Sequence, residues 1–86
     1  MQVIKVTATG LAYTGNAIVE GFSLVPAAAE ATITLDDSLD GSGDDKGGAK
    51  TASTSSVESK MYEQYFSTGI YATLSGVGAV AYIYIR

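Results

Sequence analysis

Ala79-Val80-Ala81-Tyr82-Ile83-Tyr84-Ile85-Arg86 alternates without a break. Its odd positions, Ala79, Ala81, Ile83 and Ile85, form an aliphatic row. Its even positions, Val80, Tyr82, Tyr84 and Arg86, form an aromatic and cationic row. A period of two sends successive side chains to opposite faces of a strand, whereas a helix would scatter both rows around its axis. β-Branched and aromatic residues also suit a pleated, half-buried surface. Just upstream, Ser75-Gly76-Val77-Gly78 reads as a turn. Before it, Ile70 to Leu74 alternates again, with Ile70, Ala72 and Leu74 opposite Tyr71 and Thr73. Ser67-Thr68-Gly69 is the turn that opens that strand. Read as neighbours in one sheet, the two strands put Tyr71, Tyr82 and Tyr84 on a common face.

The same period runs through most of the chain. Val3 to Ala8 places Ile4, Val6 and Ala8 against Val3, Lys5 and Thr7. Gly10 and Thr14-Gly15-Asn16 carry turn signals. Ala17 to Val25 is a strand of ambiguous faces: Ile18, Phe22 and Leu24 oppose Val19, Ser23 and Val25, with Glu20 on the heavier side. Pro26 stops it, since proline cannot donate to a ladder. Ala29, Ala31, Ile33 and Leu35 are expected to face inward, and Glu30, Thr32, Thr34 and Asp36 outward. The Gly- and Asp-rich stretch Ser38 to Gly48 reads as a long exposed hairpin loop, bounded at about 37–48 and dispensable for folding. Ala49 to Ser56 is a weak strand or a connector. Val57, Met61 and Tyr65 share one side of a further strand, and Met61 to Phe66 is too short a helical pattern to stand alone. Val25 to Ala31 has the alanines for a helix, with Pro26 badly placed for it. Roughly six to eight short strands separated by turns predict one all-β domain over residues 1–86, a small antiparallel sandwich or jelly-roll-like barrel.

Composition narrows the chemistry. The 86 residues include no cysteine, histidine or tryptophan. That excludes disulfides, thiol nucleophiles, histidine acid–base catalysis, and zinc sites of cysteine or histidine. Five basic and nine acidic residues give a net charge of −4. The cations, Lys5, Lys46, Lys50, Lys60 and Arg86, are scattered singly. This is not the basic stripe that displaces counterions from nucleic acid, nor a patch for an anionic membrane. No apolar run reaches the roughly 20 residues of a membrane span, and the N-terminal pattern is not that of a signal peptide. Only 16% of residues are charged while 47% are hydrophobic. Designed soluble surfaces carry about 25–35% charge, so the surplus apolar surface favours burial against another chain.

Four groups of residues bear on a function. Asp36, Ser38, Asp40 and Gly41 match the opening of a calcium loop, with Asp44 and Asp45 further round. Its twelfth position is Gly47 rather than a bidentate glutamate, which favours a solvated hairpin tip. Glycoside hydrolysis demands two carboxylates across a cleft; Asp36, Asp37, Glu58 and Glu63 offer only surface candidates, and a sandwich of 86 residues has little room for a substrate cleft. Gly76 and Gly78 are turn residues that precede no helix, so they cradle no phosphate. Tyr71, Tyr82 and Tyr84 could pack against a subunit, fill a second core layer, or stack a sugar. Arg86 extends their row. No catalytic activity and no cofactor are expected.

Residues 13–24, Tyr-Thr-Gly-Asn-Ala-Ile-Val-Glu-Gly-Phe-Ser-Leu, are similar to the early hairpin of small virion proteins of tailed bacteriophages. Residues 65–76, Tyr-Phe-Ser-Thr-Gly-Ile-Tyr-Ala-Thr-Leu-Ser-Gly, resemble their penultimate hairpin, and Val80 to Arg86 resembles their last strand. The likeness covers about half of the chain. It implies a compact β-sandwich that acts as an auxiliary, cement or decoration subunit of the capsid. It also implies a homo-oligomer, dimer or trimer, whose partner is the major capsid protein or another virion subunit. The location would be the virion, assembled in the host cytoplasm. The principal alternative is a carbohydrate- or calcium-binding sandwich on a cell or particle surface. A third is a domain that caps a larger assembly.

Overall fold

The computed structural model describes residues 2–27, 30–52 and 57–86, with the backbone alone for 57–63. The described residues form eight strands: β1 (Gln2–Val6), β2 (Gly10–Thr14), β3 (Ala17–Val25), β4 (Ala31–Asp37), β5 (Asp44–Thr51), β6 (Val57–Phe66), β7 (Gly69–Ser75) and β8 (Val80–Ile85). They form two four-stranded antiparallel sheets, in the orders β1-β8-β3-β6 and β2-β7-β4-β5.

The pairing is nested. β1 lies against β8, β2 against β7, β3 against β6 and β4 against β5. The chain is therefore one long hairpin whose tip is the segment 38–43. That hairpin is rolled until β8 also meets β3 and β7 also meets β4, which is the wrapping of a jelly roll. The expected all-β sandwich is present, with one change of partner. β7 and β8 do not pair. The turn at 75–78 carries the chain from one sheet to the other, with Gly76 at φ 113° and Gly78 at φ 75°.

The core lies between the sheets. Phe22, Leu24, Ile83 and Ile85 meet Ile33, Leu35 and Ile70, all essentially inaccessible to solvent. The aliphatic row of β8 points inward as expected, and so do Ala31, Ile33 and Leu35 of β4. The ambiguity of β3 has a geometric cause. Its pairing with both neighbours slips between Val19 and Gly21, which is a β-bulge. Ala17 and Val19 face the core before the bulge, and Phe22 and Leu24 after it. A single period of two could not accommodate both halves. The alternation of β1 also ends early. Val6 is its last core residue, and Ala8 is exposed in the link to β2.

The acidic stretch departs furthest from expectation. Asp37 closes β4, and β5 begins at Asp44, so the loop is 38–43 rather than 37–48. The glycines at 47 and 48 belong to an edge strand, paired with Leu35 and Thr34. Asp36, expected outside, is only 4% exposed. The strand read from Val57 to Tyr65 is present as β6, and the short helical pattern at Met61 to Phe66 forms part of it. The inward reading of Ala29 and the shared row of Val57 and Met61 fall outside the described residues.

Candidate functional site

The outer face of the β1-β8-β3-β6 sheet holds the most distinctive surface. In register, Tyr84 lies between Val3 of β1 and Gly21 of β3, and Tyr82 lies between Lys5 and Ser23. Val80 is opposite Val25. Ser23 Oγ and the Tyr84 hydroxyl share a hydrogen bond of 2.6 Å. Aromatic side chains reach such diagonal neighbours across a sheet. Ser23 is only 8% exposed, and Gly21, which has no side chain of its own to cover it, is buried too. Further along, Ile18 lies opposite Tyr65. Val3 and Tyr65 are each 52% exposed and Val25 is 36% exposed. The result is an aromatic and aliphatic face with half-buried tyrosines at its middle and exposed apolar side chains around them.

Among the described side chains the charges on this face are Lys5, opposite Tyr82, and the pair Arg86 and Glu20; the register also sets Glu58 and Lys60 of β6 opposite Ser23 and Gly21. Lys5 is on the edge strand, and Arg86 Nη2 meets Glu20 Oε2 at 3.4 Å. An ion pair so open to water contributes little to stability. It does neutralise two charges beside the tyrosines.

Tyr82, Tyr84 and Arg86 are thus brought together as expected. Tyr71 is not with them. It lies on β7 in the other sheet, opposite Leu11 and Asp36. Its ring backs the 38–43 loop: a Cβ on Gly41 would stand 3.0 Å from Tyr71 Cε1, and Gly41 has φ 86°. Glycine alone accepts both the left-handed backbone and the close approach. Tyr71 is therefore a support for the loop. Val3, Ile18, Ser23, Val25 and Tyr65 complete the face without any signal in the local pattern, because β1 and β3 reach β8 only through pairings across most of the chain.

The acidic residues form braces. Asp37 Oδ2 accepts from Ser67 N and Oγ, both at 3.0 Å, and its Oδ1 accepts from Thr68 N at 2.8 Å and Gly69 N at 3.4 Å. The backbone N–H of Ser67, then that of Thr68, hold the carboxyl well below the usual range, at about 2. Asp36 Oδ1 accepts from Ser38 Oγ at 2.5 Å and Gly43 N at 3.1 Å. Asp40 Oδ1 accepts from the Ser42 hydroxyl and backbone N–H at 2.6 and 3.0 Å, and its carboxyl is lowered by the same two donors. Among the described residues no three acidic side chains converge on one point. The side chains of Glu58 and Glu63 lie outside the described residues. The chain was compared with models of protein families, with curated proteins and with solved structures, and none of the three gave a match.

Proposed function

We propose that this chain is a non-catalytic structural subunit of a virus particle, a cement or decoration protein that docks onto a shell subunit through the outer face of β1-β8-β3-β6. The observation that carries this reading is the distribution of side chains on that face. Among the described side chains, tyrosines are central, apolar residues are exposed around them, and the charges are Lys5 on the edge strand and the mutually paired Glu20 and Arg86. Protein interfaces have this anatomy, with aromatic residues enriched and charge depleted at the centre. The jelly-roll wrapping is compatible with it, although the fold serves lectins as well as capsids and decides nothing alone. The virion setting rests on the sequence resemblance. A particle subunit gains its hold from many repeated modest contacts, for which a rigid weakly charged face is sufficient.

The test is binding of Tyr84→Ser and Tyr82→Ser to purified shells. Both variants are expected to keep native strand content by circular dichroism. At an interface centre each is expected to weaken docking by about thirtyfold or more, as a hot-spot tyrosine does. Undiminished decoration by both variants overturns the reading. Binding of simple glycans that is lost in the same variants favours the sugar-stacking alternative, whose best support is the open Tyr65 ring.

A further inference from the structure

Four strands lie at sheet edges: β1 and β6 in one sheet, β2 and β5 in the other. A strand edge presents unpaired N–H and C=O groups, and proteins blunt it with bulges and charge. Three of these edges are blunted. The β2 pairing slips between Leu11 and Tyr13, the β5 pairing between Leu35 and Asp36, and the β6 pairing between Val19 and Gly21. β5 also carries Asp44, Asp45, Lys46 and Lys50, and the β6 sequence includes Glu58, Lys60 and Glu63. Among the described residues, β1 alone runs in unbroken register, Gln2 to Val6 against Ile85 to Ala81. Its single charge is Lys5. A cleft of about 320 Å³ lies where β1 leads into β2, lined by residues 4–12.

The free groups of β1 can be assigned. Arg86 N–H donates to Ile18 O at 2.9 Å, so even positions of β8 bond toward β3 and odd positions toward β1. Gln2, Ile4 and Val6 face the odd positions and bond to β8. Val3 and Lys5 are left with N–H and C=O directed away from the sheet. We infer that this edge pairs with β1 of a second copy, antiparallel about a two-fold axis at Ile4, to make one continuous eight-stranded sheet. The inference rests on the reading of the chain as an assembly subunit.

The register follows from charge and symmetry. Centred on Ile4, each Val3 is opposite Lys5 of the second copy, and the two copies of each form four main-chain hydrogen bonds. Ile4, already packed on the core cluster, meets its own copy on the inner face. Centred on Lys5, the two ammonium groups would oppose each other, which is unfavourable. The lysine thus guards the edge against that register and leaves the other open. A two-fold contact of this kind uses one patch twice and closes on itself, so it ends at a dimer.

Sedimentation equilibrium over a wide concentration range tests the inference. The unaltered protein is expected to show a reversible monomer–dimer equilibrium. Val3→Lys places two like-charged pairs across the seam and is expected to weaken the dimer about tenfold, two cross-strand pairs acting together. Val3→Glu places opposite charges there and is expected to keep or tighten it. Val3→Pro removes an outward donor that β8 does not use, and is expected to abolish the dimer while leaving the circular dichroism native. Tyr84→Ser is expected to dimerise normally while losing shell binding, which separates this inference from the docking reading. A protein that stays monomeric up to about 1 mM, where an affinity worth only about 4 kcal/mol would show, overturns the inference. So does equal weakening by Val3→Lys and Val3→Glu, or dimer loss in Tyr84→Ser, either of which would move self-association to the sheet face.

Discussion

Ile83 and Tyr84 are adjacent in the chain and face different media. Ile83 has no solvent exposure and touches the opposite sheet, so Ile83→Ala is expected to lose about 2–5 kcal/mol, transfer and cavity terms together. In a domain whose whole stability is on the order of 5–15 kcal/mol, a large drop in the urea midpoint follows. Tyr84→Ser removes a hydrogen bond worth about 1 kcal/mol and no core atom, so its midpoint is expected to stay near that of the unaltered chain. Asp37 acts through pH. Its carboxyl titrates at about 2 in the folded chain and at about 3.9 in the unfolded one. As the pH falls the unfolded state takes up the proton first, so the stabilisation is complete above about pH 5 and disappears on the way to pH 2. Melting temperatures measured from pH 6 to pH 2 are expected to fall less steeply in Asp37→Asn, which has no such proton to gain. A parallel fall in the two proteins would remove Asp37 as the cause.

At the scale of elements, the acidic stretch is a tip and half of a strand. Replacing residues 38–47 by Asn-Gly would delete the first part of β5, together with the Ser38 and Gly43 groups that satisfy buried Asp36. A buried acceptor left without donors is unfavourable by about 1–3 kcal/mol. The melting temperature of that variant is therefore expected to fall clearly. A Gly-Ser insertion beside exposed Ser42 changes only loop closure, where even a doubling of length matters by about 0.6 kcal/mol, and is expected to be tolerated. Chelator is expected to leave the melting temperature of the unaltered chain unchanged, because serine and main-chain donors already occupy these carboxylates. A chelator-sensitive transition would mean that a cation holds the tip. The bulge in β3 acts at the same scale. It lets Ala17 and Val19 share a core face with Phe22 and Leu24 while Ser23 and Gly21 remain under Tyr84.

For the whole molecule, the nested pairing sets the kinetics. Gln2 is opposite Ile85, and Gly10 is opposite Ala72, so the outer strands close loops that span nearly the entire chain. Sheets dominated by such pairings fold in milliseconds to seconds, roughly a thousandfold or more behind helical bundles of similar size. Stopped-flow refolding is expected to fall in that range. A microsecond phase that recovers the full signal would contradict the wrapped topology.

The all-β class, most of the strands and the inward rows of β4, β7 and β8 were legible in the residues, because a period of two is local and one buried face imposes it. Ile33, Leu35, Ile83 and Ile85 could be placed in a core before any partner was known. The bulge at Glu20 and Gly21 left only a blurred pattern, since one extra residue exchanges the faces halfway along β3. The partners of each strand were not legible. Tyr71 seemed to belong with Tyr82 and Tyr84 because consecutive strands often pair, and here the turn at 75–78 crosses between sheets instead. Val3, Ser23 and Tyr65 join the outer face through strand pairings with partners far away in the chain. Asp36 and Asp37 read as solvated because local pattern cannot show the donors that a distant turn brings to them. Alternation depends on a residue's own face and neighbours two positions away. The composition of a surface depends on which strands lie side by side, and only the closing of the long hairpin decided that.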